Sequence, residues 1–263
     1  MPRDDISRTV SPQVYTREYY VSHCHGHAEF RRSETVAVPD RLKIPLEAAK
    51  ISPGMSVLDV GCGRGEILRY AACQGARAVG FDYATAAIEI TAEYLRAHLD
   101  ASMIAIHLGN AQQLPYPDCS FDRVFMLDVV EHLYPAELHR AMVEIRRVLR
   151  PGGQLIIHTM PNTWYYRFGY PVFRLTQRLR SKRLPVDPRD RWEFKEVHVN
   201  EQNPVLLRRE LRAAGLKAKV WLQTIHSYAE EPNPYVRFVM RALVTMYPFR
   251  LIFCDDLFAI AMK

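Results

Sequence analysis

The chain has 263 residues, 48% of them hydrophobic, which is enough for one large domain with a buried core. No apolar run approaches the roughly 20 residues needed to span a bilayer, and the opening Met-Pro-Arg-Asp-Asp lacks the basic-then-apolar order of a signal peptide. Five scattered cysteines without a C-x-x-C argue against a disulfide framework and a structural zinc site, and a cytoplasmic protein is expected. A formal charge of +6 favours an anionic partner, whether nucleic acid, a phosphorylated substrate or a membrane surface, without requiring one.

Residues 1–33 are polar and aromatic, with Tyr15, Tyr19 and Tyr20 ahead of His23-Cys24-His25-Gly26-His27. Imidazole and thiolate are common metal ligands, but no partner carboxylate or cysteine pair has a matching spacing, so no metal is assigned. A cover over the site or simple packing remains. Pro39 and Asp40 suit a helix start, with Leu42, Leu46 and Ala49 at helical spacing despite Pro45.

After the turn Ser52-Pro53-Gly54 comes the most informative stretch, Val57-Leu58-Asp59-Val60-Gly61-Cys62-Gly63-Arg64-Gly65. It reads as an apolar strand ending in a glycine turn, which lets backbone approach a ligand closely. A helix over 66–73 stops at Gly75, and a second strand over 78–81 ends in Asp82, placed to accept from ribose hydroxyls. A dinucleotide turn, G-x-G-x-x-G, would carry its third glycine where Glu66 stands, and an acid there opposes a pyrophosphate. A nucleoside ligand without phosphates fits better.

Helical spacing recurs over 86–98, and a third strand over 103–107 leads to Gly109-Asn110-Ala111-Gln112. A continuous apolar strand over 121–127, as in a sheet covered on both faces, precedes Asp128-Val129-Val130-Glu131-His132-Leu133. A helix from Pro135 runs to Leu149, Arg150-Pro151-Gly152-Gly153 reads as a turn, and a fifth strand covers 154–158. Asn203-Pro204 caps another helix that ends before Gly215, followed by strands over 219–225 and 257–263. Alternating strands and helices imply right-handed βαβ units on a parallel sheet. The expected fold is α/β, Rossmann-like and doubly wound. Within one domain it divides into an N-terminal cover (1–50), a cofactor-binding core (51–158), an insertion (159–199) and a sheet completion (200–263).

The run from Val57 to Gly65, with Asp82, Asn110-Ala111, Glu131-His132-Leu133 and Leu149-Arg150-Pro151-Gly152-Gly153 in order, resembles class I S-adenosylmethionine-dependent methyltransferases. Within these it is similar to the large small-molecule group related to ubiquinone and menaquinone synthesis. The resemblance is strong over 50–160 and loose over 200–263. It implies a seven-stranded, mostly parallel sheet closed by a late antiparallel strand at 257–263. It implies Gly61 and Gly63 beneath the methionine part of the cofactor, Asp59 at the turn or the amino group, Asp82 on the ribose and Tyr83 along the adenine. Asn110, Ala111 and Gln112 would stand where the group has Asp-Ala, and Leu127 at the end of the fourth strand.

Methyl transfer from a sulfonium asks the protein chiefly to align nucleophile, carbon and sulfur, with a base for a hydroxyl or protonated amine. Three histidines are candidates: His132, His158 at the end of the fifth strand and His198 before the Pro204 helix. Glu131 reads as a solvated helix-start acid that can orient His132. The insertion carries Trp164, Tyr165, Tyr166, Phe168, Tyr170 and Phe173 ahead of Arg174, Arg178, Arg180, Lys182 and Arg183. Three readings stand for it: a lid helix with a solvated basic face, a contact with the inner membrane surface over 164–183, or a grip on an anionic substrate. The apolar stretch 235–253 either packs on that lid or joins the membrane contact.

A small-molecule acceptor, O-methylated first, is expected, with N- or C-methylation open. A nucleic-acid methyltransferase is opposed by the lack of an Asn/Asp-Pro-Pro motif at 128–131. A nicotinamide reductase is opposed by Glu66, and a non-catalytic binding module by the complete cofactor set.

Overall fold

The computed structural model describes residues 9–24, 26, 40–98, 103–225 and 231–263. Seven strands form one sheet in the order β3-β2-β1-β4-β5-β7-β6. They are β1 (Ser56–Val60), β2 (Arg77–Asp82), β3 (Ile104–Leu108), β4 (Phe121–Leu127), β5 (Leu149–Thr159), β6 (Lys217–Leu222) and β7 (Leu257–Met262). β1 to β5 are parallel, and β7 runs antiparallel between β5 and β6, the expected late strand. The helices between them are α1 (Asp40–Ala49), α2 (Glu66–Cys73), α3 (Thr85–His98), α4 (Pro135–Val148) and α5 (Tyr170–Leu179). After these come α6 (Pro204–Ala213), α7 (Pro234–Thr245) and the single turn α8 (Arg250–Phe253).

Alternation along the strands splits the core into two layers. Leu58, Val124, Met126, Leu155 and Ile157 face α4 and α6, where Leu138, Met142, Ile145, Leu207 and Leu211 meet them. Val57, Phe125 and Ile156 face the other way, onto Leu42, Leu46 and Ala49 of α1 and Ile67, Leu68 and Ala71 of α2. Both faces are therefore covered, which explains the continuous apolar runs. A third cluster joins the N-terminal segment to α3: Val10, Tyr15 and Tyr20 pack on Ala84, Ala87, Ile90 and Val197.

Local signals account for the ends of elements. Asn203 Oδ1 accepts from the backbone N–H of Val205 and Leu206, with Pro204 in the first turn of α6. One expectation needs correction. The Arg150-Pro151-Gly152-Gly153 stretch is not a turn before the fifth strand but its first part: Leu149 pairs with Phe121, and the ladder shifts register before Arg123 meets Gln154. Gly152, at φ +77, takes up the irregularity in a conformation only glycine adopts cheaply. The apolar stretch 235–253 is broken into α7 and α8 around Pro248.

The strand order reverses between β1 and β4, and the carboxyl ends of those two strands are where an open α/β sheet leaves a crevice.

Candidate functional site

A cavity opens at that crevice. From the β1–α2 turn it is lined by Asp59, Gly61, Gly63, Arg64 and Glu66, and from the end of β2 by Asp82 and Tyr83. Asn110 and Ala111 follow β3, while Leu127, Asp128, Val129 and His132 follow β4. Tyr15, Tyr19 and Tyr20 close it from the N-terminal segment. The cover reading of these tyrosines thus has a geometric basis.

Close approach requires glycine at one point and the left-handed backbone favours it at the next. A Cβ on Gly61, whose φ is +78, would lie 2.3 Å from Val129 Cγ2, and Gly63 has φ +50 with the Tyr20 ring just beyond it. Asp82 closes the turn: its Oδ2 accepts from Gly63 N at 3.1 Å and its Oδ1 from Ala84 N at 2.9 Å. Burial pushes its pKa up to about 6 against the pull of those N–H groups. Asp59, also buried, is pushed up to about 8 by burial and then by the Asp82 charge. Burial likewise raises the Tyr83 hydroxyl to about 12.

Beneath the turn is a charged triad that the sequence did not suggest. Glu66 is bound by Arg41 from α1 and by Arg64 Nη2 at 3.0 Å. Arg64 Nη1 also donates to Tyr20 O at 3.0 Å and Cys24 O at 3.4 Å, clamping the N-terminal segment onto the glycine turn. Glu66 Oε1 and Arg41 Nε are buried without a protein partner. Arg41 and Glu66 both line the cavity and pair with each other, so one wall sets a guanidinium beside an acid, suited to the carboxylate and amino groups of an amino-acid tail.

The histidines separate in space. His132 is on the wall, with Nδ1 3.1 Å from Tyr15 Oη and 3.2 Å from Val197 O. Because Val197 O can only accept, Nδ1 carries the proton and Nε2 keeps its lone pair. Nε2 faces Glu131 Oε1 at 4.0 Å. Burial and then the neighbouring His198 depress the His132 pKa to about 3, so the ring is neutral at pH 7. His198 is one layer back, its ring edge-on to His132 at 4.9 Å and beside Trp192, and burial holds it down to about 4.

His158 is not on the cavity, contrary to expectation. The alternation of β5 turns it into the layer behind, where Nδ1 is 2.5 Å from Asp128 Oδ1 and Nε2 is 3.4 Å from Asp256 Oδ1. Burial opposes its charge, but the two carboxylates override it and raise its pKa to about 10. Its role is therefore to hold Asp128, which occupies the left-handed region at φ +56 and reaches the cavity. Only the position of Asp128 after a strand could have signalled it.

Three more expectations change. Glu131 is not solvated: it is 1% exposed and accepts from Thr159 Oγ1 at 2.7 Å, and burial, then the Asp128 charge, lifts it to about 8. Gln112 leaves the cavity, donating to Glu137 Oε1 and accepting from Arg140 Nε. Asn110 stays at the rim, but its Oδ1 accepts from Gln112 N and so shapes the loop. In the 23–27 cluster, His23 pairs with Glu193, and His25 and His27 lie outside the described residues. Among the described residues, Glu131, His132 and His198 bring potential metal-ligand atoms within 4.8 Å of one another.

Residues 58–157, which hold the glycine turn, Asp82 and Asp128, match a family model described as a methyltransferase domain. This part of the chain carries a methyltransferase domain. A demethylmenaquinone methyltransferase of Symbiobacterium thermophilum is 35% identical over 126 residues, 46% of this chain and 49% of its own. A probable S-adenosylmethionine-dependent methyltransferase of Mycolicibacterium smegmatis is 31% identical over 173 residues, 66% of this chain and 56% of its own. The chain thus spans about half the length of the curated relatives it matches. The solved S-adenosylmethionine-dependent methyltransferase of Mesorhizobium loti superposes with a TM-score of 0.62 at 17% identity, covering 87% of this chain and 100% of that one, a likeness of fold. S-adenosylmethionine is the cofactor of this domain class, and the cavity fits it: a glycine cradle, an acid at the second strand, and a wall that matches an amino-acid tail.

Proposed function

We propose that this chain transfers a methyl group from S-adenosylmethionine to a hydroxyl of a small molecule, lipophilic or glycan-like. The observation that carries the reading is the charge of the cavity wall. Glu66, Asp82, Asp128 and Glu137 line it against Arg41 and Arg64, and Asp59, pushed up to about 8, adds its charge only above neutral pH, so a ligand bearing a sulfonium and an ammonium is favoured and a pyrophosphate is repelled.

S-adenosylmethionine, when bound, supplies an electrophilic methyl carbon on a positively charged sulfur. Gly61 and Gly63 let the backbone run close beneath it, Asp59, Glu66 and Arg41 take the amino-acid tail, and Asp82 takes the ribose hydroxyls. Tyr83 and the Asn110-Ala111 rim flank the base, and Leu127 walls the strand end. Tyr15, Tyr19 and Tyr20 exclude water, leaving alignment of the reactants as the main contribution, part of the about 7–11 kcal/mol that orientation can supply.

A hydroxyl acceptor must also shed a proton. His132 lines the cavity with its Nε2 unprotonated, and Asp128 offers a carboxylate anchored from behind by His158. His132 is proposed as the base or substrate orienter, with His198 as the ring that sets its position. Nucleic acid is a poorer acceptor, since Asp128-Val129-Val130-Glu131 has no proline pair to hold a base. The expected location is the cytoplasm, with contact to the inner membrane face.

The test is turnover with methyl-labelled S-adenosylmethionine on fractionated extracts. Label in a small-molecule pool, released as a methyl ether, supports the reading. Label on nitrogen or carbon redirects it to N- or C-methylation, and label only in RNA overturns it. Cofactor binding without transfer to any fraction makes the chain a binding module.

A further inference from the structure

Amphipathic helices of a soluble domain normally turn their apolar stripe inward. Two helices here do the opposite. On α5 and the turn before it, Phe168, Val172, Leu175 and Leu179 recur at intervals of four, three and four, so they share one stripe, and all four are exposed, Leu179 by 80%. On α7 and its cap, Tyr235, Phe238, Val239 and Met246 fall within about 100° of one another round the axis and are also exposed, Tyr235 by 81% and Phe238 by 72%. Tyr247 and Phe249 extend the second stripe into the turn before α8. No described residue covers either stripe.

Their charge is one-sided. Residues 164–183 carry Arg167, Arg174, Arg178, Arg180, Lys182 and Arg183 without an Asp or Glu, and residues 234–250 carry Arg237, Arg241 and Arg250, again without an acid. On α5, Arg167, Arg174 and Arg178 lie about 90–130° round the axis from the centre of the apolar stripe, all on one side, a flank from which long side chains reach a charged surface while the stripe is immersed.

The two helices form one unit. A fork of hydrogen bonds from Arg180 to Glu231 ties the end of α5 to the approach to α7. At the other end the turn before α5 packs on α8 so closely that a Cβ on Gly169 would meet Ile252 O at 1.9 Å. The same insertion returns past the cavity, where Phe194 and Val199 pack on the N-terminal cluster and Val197 O meets His132.

We propose that α5 and α7 dock side by side in the headgroup region of an anionic bilayer, apolar stripes inward and arginines on lipid phosphates. Apolar immersion and attraction to anionic lipid add in such a surface, and aromatic side chains favour the interface. Charge decides the occupant: a second copy of this chain would set arginines against arginines, and a nucleic acid would leave the apolar stripes wet. The proposal deepens the partner reading above but rests on the surface alone, so its test needs no turnover.

The full chain is sedimented with vesicles of phosphatidylcholine alone and of phosphatidylcholine with 30% phosphatidylglycerol. Binding to the anionic vesicles should be at least tenfold tighter and should weaken as salt rises. The double variants Leu175→Ser/Leu179→Ser and Tyr235→Ser/Phe238→Ser should each lose at least tenfold in vesicle binding, with melting temperature and S-adenosylmethionine affinity unchanged. No preference for anionic vesicles, or variants that bind like the parent, overturns the proposal. So does a dimer that the variants dissolve while the parent ignores vesicles, or RNA binding tighter than vesicle binding and insensitive to both variants. Failed S-adenosylmethionine binding with intact vesicle binding would remove the methyl-transfer reading and leave this one standing.

Discussion

Replacing Asp82 by alanine should weaken S-adenosylmethionine binding by two separable routes. The carboxylate is the charged acceptor for the ribose hydroxyls, and hydrogen bonds to a charged group contribute about 1.5–3 kcal/mol, or roughly 10- to 150-fold in Kd. It also accepts from Gly63 N and Ala84 N, so alanine orphans two buried donors and loosens the turn that cradles the cofactor. Asp82→Asn keeps an oxygen for those donors and loses only the charge, and should fall between parent and alanine variant. Calorimetry gives the affinities and thermal melting reports whether the turn has collapsed. Because the Asp82 pKa stands at about 6, the carboxylate is lost below that point, and parent affinity should drop between pH 7.5 and pH 5 more steeply than that of Asp82→Asn. A folded Asp82→Ala protein with parental affinity would refute the ribose assignment.

His132→Asn should lower kcat by about 10²–10⁴-fold if the imidazole is the base, with cofactor Kd changed by less than about threefold; steady-state kinetics beside calorimetry decides it. Arg64→Ala removes the clamp on Tyr20 O and Cys24 O, so limited proteolysis within residues 12–24 should accelerate by about tenfold. His158→Gln breaks a buried ion pair and should cost about 3–5 kcal/mol in denaturant unfolding at pH 6.5. The folded pKa of His158 is raised, so its contribution is complete below the unfolded value near 6.5 and is lost as pH climbs through about 10. The gap between parent and variant should therefore shrink by pH 9.5. Chelation with EDTA should leave turnover unchanged, since a sulfonium needs no Lewis acid; a loss restored by a divalent ion would assign a metal to Glu131, His132 and His198.

What could be read from residues alone was whatever depends on local pattern. The glycine turn, Asp82 at the end of β2 and the asparagine cap of α6 are written in neighbouring residues, and the structure has them within a residue or two of their expected places. The misses come from contacts distant in sequence. Gln112 looks like a cofactor residue until Glu137 and Arg140 on α4 claim its amide. Glu131 looks solvated until Thr159 meets it from β5. His158 is at a strand end, but which face it takes is set by the pairing of β5 with β4 and β7. The triad of Arg41, Arg64 and Glu66 needs α1 folded across the turn, which no spacing announces. The aromatic and basic residues of 164–183 and the apolar stretch 235–253 were visible, but composition does not say which way a helix turns its apolar stripe.

Isothermal titration of the purified, folded chain with S-adenosylmethionine, S-adenosylhomocysteine and a nicotinamide dinucleotide tests the central claim most directly. Saturable one-site heat with both adenosyl compounds, and none with the dinucleotide, is the predicted result. Heat with the dinucleotide alone would mean that the acid-lined crevice accepts a pyrophosphate after all, and the assignment of its ligand would be wrong.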